Sequence, residues 1–109
     1  MKNFIALIFA LLIALASLQP AMAQSPDNLV KASGMAIAAY SKNIAERHTT
    51  PGADGDYMRN INNYDIGISQ NSNYIIFIFL PSDKNIAGGG GEIWISKKNM
   101  RIEKTSNYF

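Results

Sequence analysis

The sequence predicts an α+β domain: one N-terminal helix packed on a three- to four-stranded antiparallel sheet. Three observations lead there. From Ser25 to His48 the apolar residues recur at helical spacing. Tyr64 to Ser69 alternates apolar and polar with period two. From Tyr74 to Phe109 the chain holds three further apolar runs divided by turn residues. A helix followed by a series of strands, rather than strands alternating with helices, argues for an antiparallel sheet with its helix on one side.

The fold does not use the whole chain. Met1-Lys2-Asn3 is a short basic start, Phe4 to Leu18 is almost unbroken hydrocarbon, and Pro20 breaks the run. Ala21-Met22-Ala23 then places small residues at the positions a signal peptidase reads. The apolar stretch is about 15 residues, short of the roughly 20 a spanning helix needs. Residues 1–23 therefore read as a signal peptide cleaved between Ala23 and Gln24, with membrane contact only through this transient segment. Residues 24–109 form one α+β domain, expected in the periplasm or outside the cell. No cysteine is present. A small exported domain without disulfides must draw its stability from its core or from a partner.

Removing Lys2 with the leader leaves nine basic against eight acidic side chains. A near-balanced chain lacks the strongly basic face that nucleic-acid binding requires. Lys97, Lys98, Arg101 and Lys104 cluster near the C-terminus, as expected of a solvated hairpin edge kept soluble by lysines.

The elements follow in order. Ser25-Pro26-Asp27 supplies an N-cap, a proline at the first helical position and an acid in the first turn. Leu29, Ala32 or Ser33, Ala36, Tyr40 and Ile44 make the buried stripe, widened by Val30 and Ile37. Lys31, Lys42, Asn43, Glu46 and Arg47 lie largely off it. Thr49-Thr50-Pro51-Gly52 ends the helix near His48. Pro51 to Asp56 reads as a turn-rich connector, and Tyr57 to Ile61 fits either a short helix or the approach to a strand. Tyr64, Ile66 and Ile68 are expected to face the core from the first strand. Asn71-Ser72-Asn73 turns the chain.

The run Tyr74-Ile75-Ile76-Phe77-Ile78-Phe79-Leu80 is apolar on both faces, the pattern of a central strand covered on each side. One helix covers only one face of a small sheet. The other set of side chains is therefore expected to be sheltered by the connector, by aromatic side chains or by another molecule, and an uncovered set would mark an interaction surface. Glu92 to Ser96 places Trp94 on one face and Ile93 and Ile95 on the other. Lys97-Lys98-Asn99 turns the chain into a return strand from Met100 to Glu103. Thr105 to Phe109 reads as the end of that strand or as a tail folding back on its two aromatics.

Candidate chemistry is sparse. Gly88 to Gly91 is followed by Glu92 and a strand, where a phosphate loop needs Lys-Ser or Lys-Thr and a helix. Glycines before a strand read instead as a bulge or a close backbone approach. His48 is the only histidine and suits the negative end of the helix dipole. Asp54-Gly55-Asp56 lacks the spacing of a calcium loop and reads as a turn. Asp65 and Glu92 could meet across strands, but nothing sets them apart in a pocket as an acid–base pair. Glu92 is expected to pair with Arg101 or Lys104. No catalytic, cofactor-binding or metal-binding residue is assigned. The candidate partner-binding residues are Trp94, Phe77 and Phe79, with Gly89 and Gly90 of the loop. Trp94, Tyr74, Phe77 and Phe79 read most simply as core, and as interface anchors where they lie on the open face.

The C-terminal third, Ala87-Gly88-Gly89-Gly90-Gly91-Glu92-Ile93-Trp94-Ile95-Ser96-Lys97-Lys98-Asn99-Met100-Arg101-Ile102, follows a leader, one helix and a strand ending in a proline break. It resembles small bacterial proteins of the NTF2-fold immunity type, which end in a similar Gly-Gly, aliphatic strand, Lys-Lys turn and aliphatic strand. The resemblance implies a helix wrapped by a curved sheet of the cystatin-like or NTF2-like kind, no enzymatic activity and no cofactor. It also implies a protein partner, such as a toxin or effector neutralised in the periplasm. The expected function is an immunity- or inhibitor-like binding module. The alternatives are a self-associating structural domain, paired as a homodimer, and a carrier of a small apolar ligand.

Overall fold

The computed structural model describes residues 25–109. The expected leader and the Ala23–Gln24 cleavage site lie outside the described residues. Helix α1 spans Pro26–Arg47, a short α2 spans Ala53–Arg59, and a 3₁₀ turn covers Ile61–Asn63. Strands β1 (Tyr64–Gln70), β2 (Tyr74–Pro81), β3 (Gly91–Ser96) and β4 (Ile102–Asn107) follow. They form one antiparallel sheet in the order β1-β2-β3-β4. The α+β fold, a helix on a four-stranded antiparallel sheet, is the one its sequence predicts.

Helix α1 starts where its cap says. The Ser25 side chain accepts from the backbone N–H of Asn28 at 3.4 Å, and Pro26 occupies the first turn. Ala32, Ala36, Tyr40 and Ile44 are fully buried, one residue per turn on one face. Val30 does not widen that stripe: it is 73% exposed. At 1.5 Å per residue α1 is about 33 Å long, and it packs chiefly across β3 and β2.

Under it lie Ile75, Phe77 and Phe79 of β2 and Ile93 and Ile95 of β3, all fully buried. The register sets Phe77 opposite Ile93, and Ile75 opposite Ile95. Tyr40 stacks on Phe79 with ring centroids 4.2 Å apart and meets Tyr64 edge-on at 5.5 Å. Such pairs contribute roughly 0.5–1.5 kcal/mol beyond the area they bury. Burial pushes the Tyr40 hydroxyl up to about 12, so it stays neutral within the core.

Three expectations need correction here. The connector is helical from Ala53, because Gly52 at φ 109° turns the chain and Asp54 and Asp56 sit favourably in a first turn. Asp54-Gly55-Asp56 is therefore helix rather than turn. Ile66 and Ile68 pair with Phe79 and Phe77 and so point to the helix side, yet they are 42% and 49% exposed. Alternation placed them on the right face, but α1 runs over β2 and β3 and leaves the edge strand uncovered beyond Tyr64, which alone on β1 is buried as expected. The return strand starts at Ile102 rather than Met100, whose φ of 54° belongs to the turn, and β4 runs to Asn107; beyond it Tyr108 N–H bonds to Gly90 O and the Phe109 backbone lies against Gly88.

The turns carry their own locks. The Asn71 side chain accepts from the N–H groups of Asn73 and Tyr74 at 2.9 and 2.8 Å. The Arg59 guanidinium donates to the carbonyls of His48 and Thr50 at 2.8 and 2.9 Å and pairs with Asp56, so it holds the end of α1 against α2.

Candidate interaction face

The face of the sheet opposite α1 carries the other half of β2. Alternation and register place Tyr74, Ile76, Ile78 and Leu80 there, beside Glu92 and Trp94 of β3. Tyr74, Ile76, Ile78 and Trp94 are half-buried and Leu80 is 49% exposed. These residues form an apolar strip bordered by the small residues Gly67 and Ser69 of β1.

Trp94 is held from three sides. Its indole N–H donates to Glu92 Oε2 at 3.0 Å. Lys104 Nζ lies 4.7 Å from the ring centroid, a cation–π contact of about 0.5–1 kcal/mol at an exposed site. The Tyr74 ring meets it edge-on at 5.3 Å. The register slips between Trp94 and Ile95: Lys104 pairs with Trp94 while Ile102 pairs with Ile95. Glu103 is the extra residue of this bulge, and its carboxylate turns to the same face, accepting from the Tyr74 hydroxyl at 2.8 Å. One irregularity thus places Glu103 and Lys104 on either side of the aromatic pair.

The acids on this face are fixed acceptors. Hydrogen bonds from Tyr108 and then Trp94 hold the Glu92 carboxyl below its ordinary value, against the opposing effect of burial and with the Lys104 charge adding the least. Burial, followed by the bond to Glu92, pushes the Tyr108 phenol up to about 12. The hydrogen bond to Glu103 raises Tyr74. Asp65 accepts from Ser82 Oγ at 2.8 Å and lies on β1, two strands from Glu92. That separation is about 10 Å across the sheet. Glu92 faces Ser106 rather than a base, and Lys104 is spent on the Trp94 ring, so the expected Glu92 ion pair is replaced by hydrogen bonds.

The candidate partner-binding residues separate. Trp94 lies on the outer face, half-buried. Phe77 and Phe79 are fully enclosed beneath α1 and present no surface to a partner. They sit at the alternate positions of β2 to Ile76 and Ile78, and the helix took their side of the strand. Gly90 is buried at φ 84°, against the Phe79 carbonyl, and its own carbonyl accepts from Arg47 Nη1 at 3.2 Å and from the Tyr108 N–H at 2.9 Å. Gly89 is half-buried against Met58 and Pro81. The glycine run is a packed corner, in which a side chain at Gly90 would strike backbone.

Arg47, set off the helix stripe by its spacing, organises that corner. Besides Gly90 it reaches the Tyr108 carbonyl, with Nη2 at 2.5 Å, and so ties α1, the glycine run and the C-terminal tail together. A basic residue in a last helical turn reads only as dipole complementarity, and nothing in its spacing signals a clamp. His48 caps α1, and burial, then the Arg47 and Arg59 charges, lower its pKa. Clefts of about 500 and 210 Å³ flank α2. The larger is lined by Tyr57, Met58, Asp83 and Ile86 among others, the smaller by His48, Asp54 and Met58 among others. Among the described residues no group of three or more His, Cys, Asp or Glu side chains is arranged to hold a metal ion, and no helix is long and apolar enough to cross a membrane. No family model, curated protein or solved structure matches the chain.

Proposed function

We propose that the protein is an exported, non-catalytic binding module, immunity- or inhibitor-like, that engages a protein partner in the periplasm or outside the cell. The observation that carries this reading is the outer strip of Tyr74, Ile76, Ile78, Leu80 and Trp94, apolar and open on the side of the sheet that α1 does not cover. Trp and Tyr are the residues that most often anchor protein interfaces. Glu103 and Lys104 bring opposite charges to the rim, which sets orientation more than affinity. The partner this chemistry fits is a folded protein with an apolar ridge and a mixed-charge border. The basic start, hydrocarbon run and Ala-Met-Ala end of residues 1–23 support export. The glycine-to-hairpin resemblance supports the immunity-like role and an NTF2-like or cystatin-like relationship.

The test is capture from the envelope fraction of the producing cells, followed by titration with the purified partner. Trp94→Ala is expected to weaken binding by about 2 kcal/mol, roughly 30-fold. Leu80→Lys should abolish it, while Lys84→Glu, in the exposed β2–β3 loop, leaves it unchanged. A protein that captures nothing, or one whose partner is indifferent to Trp94→Ala and Leu80→Lys, overturns the reading.

A further inference from the structure

The two edges of the sheet are built differently. Edge β4 carries the bulge at Trp94/Ile95 together with Glu103 and Lys104, the devices that keep an edge from pairing with another strand. Edge β1, Tyr64-Asp65-Ile66-Gly67-Ile68-Ser69-Gln70, pairs with β2 without a register shift and holds a single charge, Asp65. Among the described residues no strand lies beyond it.

The direction of its backbone groups follows from the ladder. Ser82 N–H donates to Asn63 O and Asn71 N–H to Tyr74 O, at 2.8 and 3.0 Å. These bonds mark Asn63 and Asn71 as hydrogen-bonded positions toward β2. By alternation Asp65, Gly67 and Ser69 also bond inward, and Ile66 and Ile68 point their N–H and C=O groups out of the sheet.

Gly67 has no purpose within its own protomer. Its φ is not positive, and an added Cβ would meet only Ile78 Cβ at 3.9 Å, an ordinary contact. Glycine inside a strand weakens it, and an unforced one marks the close approach of another backbone. The residues around it mirror one another: Ile66 and Ile68, then Asp65 and Ser69.

We propose that two copies of the chain pair edge to edge through β1, antiparallel about a two-fold axis at Gly67, into one continuous sheet. The register is self-complementary, as a two-fold interface demands. Ile66 of one copy exchanges backbone hydrogen bonds with Ile68 of the other, using the groups that point outward. The four isoleucines meet on the helix side, covering the side chains α1 leaves 42% and 49% exposed. On the outer side each Asp65 faces a Ser69 hydroxyl, so no like charges oppose. The two Gly67 residues form the central non-hydrogen-bonded pair, where Cα atoms come within about 4.5 Å. One strand pair buries less than a standard stable interface, so the dimer dissociates in the micromolar to millimolar range. This pairing uses β1, whereas the partner strip lies on β2 and β3, and the two readings stand or fall separately.

The test combines sedimentation of the purified protein with cysteine cross-linking, for which the cysteine-free sequence is a clean background. The wild-type protein should shift from monomer to dimer with concentration. Ile66→Lys and Ile68→Lys, both at exposed positions, should each give a monomer with an unchanged melting temperature. Gly67→Cys places two sulfurs across the axis within disulfide reach, and should cross-link under mild oxidant at least tenfold faster than Ser69→Cys, whose copies lie about 13 Å apart. A protein monomeric at millimolar concentration overturns the proposal. So does equal cross-linking of the two cysteine variants, or a dimer that survives Ile68→Lys and is lost in Trp94→Ala.

Discussion

The two faces of β2 carry side chains of nearly the same apolarity and meet different fates. Ile75, Phe77 and Phe79 are sealed beneath α1, while Tyr74, Ile76 and Ile78 remain half-buried and Leu80 exposed. The difference lies in what each face is offered. Ala32 and Ala36 of α1 are small enough to let the helix settle onto the sheet, and Gly91 lets the Tyr40 ring rest against β3. The outer face is offered no second layer, only side chains from its own strands and the Tyr108 phenol of the tail: the Trp94–Tyr74 pair, the Lys104 ammonium, the Glu103 carboxylate and the Tyr108–Glu92 hydrogen bond. Apolarity alone therefore does not make a core; a complementary second layer does.

The comparison breaks most visibly by truncating one residue on each face. Phe79→Ala removes a ring that stacks on Tyr40 and leaves a cavity, and should cost about 3–5 kcal/mol. A domain of this size holds roughly 5–15 kcal/mol in total, so this variant is expected to be marginally folded. Ile78→Ala, its neighbour on the open face, gives up a partly solvated side chain. It should cost about 1 kcal/mol, near the middle of the range for point variants. Urea denaturation followed by Trp94 fluorescence reads both. Equal losses would mean that the outer strip is as well packed as the core, and would remove its claim to be an interface.

A middle-sized effect belongs to the corner that joins the layers. Arg47→Met keeps the aliphatic stem but deletes the donors to the Gly90 and Tyr108 carbonyls. Hydrogen bonds from a charged donor are worth roughly 1.5–3 kcal/mol, and a loss of about 2 kcal/mol is expected. Hydrogen exchange at the Tyr108 amide, which bonds to Gly90 O, should accelerate in the variant while the amides of β2 stay protected. Uniform acceleration would mean that Arg47 supports the whole fold rather than the tail.

Much of the fold was legible because local signals agreed with one another. Ser25-Pro26 marked the start of α1, and the Ala32–Ala36–Tyr40–Ile44 spacing named the residues it buries. The alternation about Trp94 placed it opposite Ile93 and Ile95. What was not legible depended on lateral placement. Alternation tells which face Ile66 occupies, but not that the helix stops short of its strand. The doubly apolar run 74–80 shows that two sets need shelter, but not which set the helix takes, so Phe77 and Phe79 read as core or as partner anchors, and burial makes them core. The Arg47 clamp joins residues more than forty positions apart, beyond the reach of any local pattern, and the bulge that aims Glu103 at Tyr74 has no signature in the sequence of β4.

The smallest effects are titrations, and they distinguish the two sides of the molecule by pH. His48, at the end of α1, has its pKa lowered from 6.5, first by burial and then by Arg47 and Arg59. Its neutral form is favoured in the folded state. The stability it contributes is complete above about pH 6.5 and is lost as pH falls from there toward its lower folded value. Glu92, on the outer face, has its pKa lowered from 4.5 by the Tyr108 and Trp94 hydrogen bonds. Its contribution is complete above about pH 4.5 and is lost below it. Melting temperature measured against pH should thus fall in two steps. His48→Asn should flatten the upper step and leave the lower one, and Glu92→Gln should do the reverse. Since Glu92 also fixes the indole through its N–H, only the lower step should be accompanied by a change in Trp94 emission before unfolding. An emission change in the upper step would instead couple the capped end of α1 to the open face, and the two sides of the sheet would have to be treated as one cooperative unit.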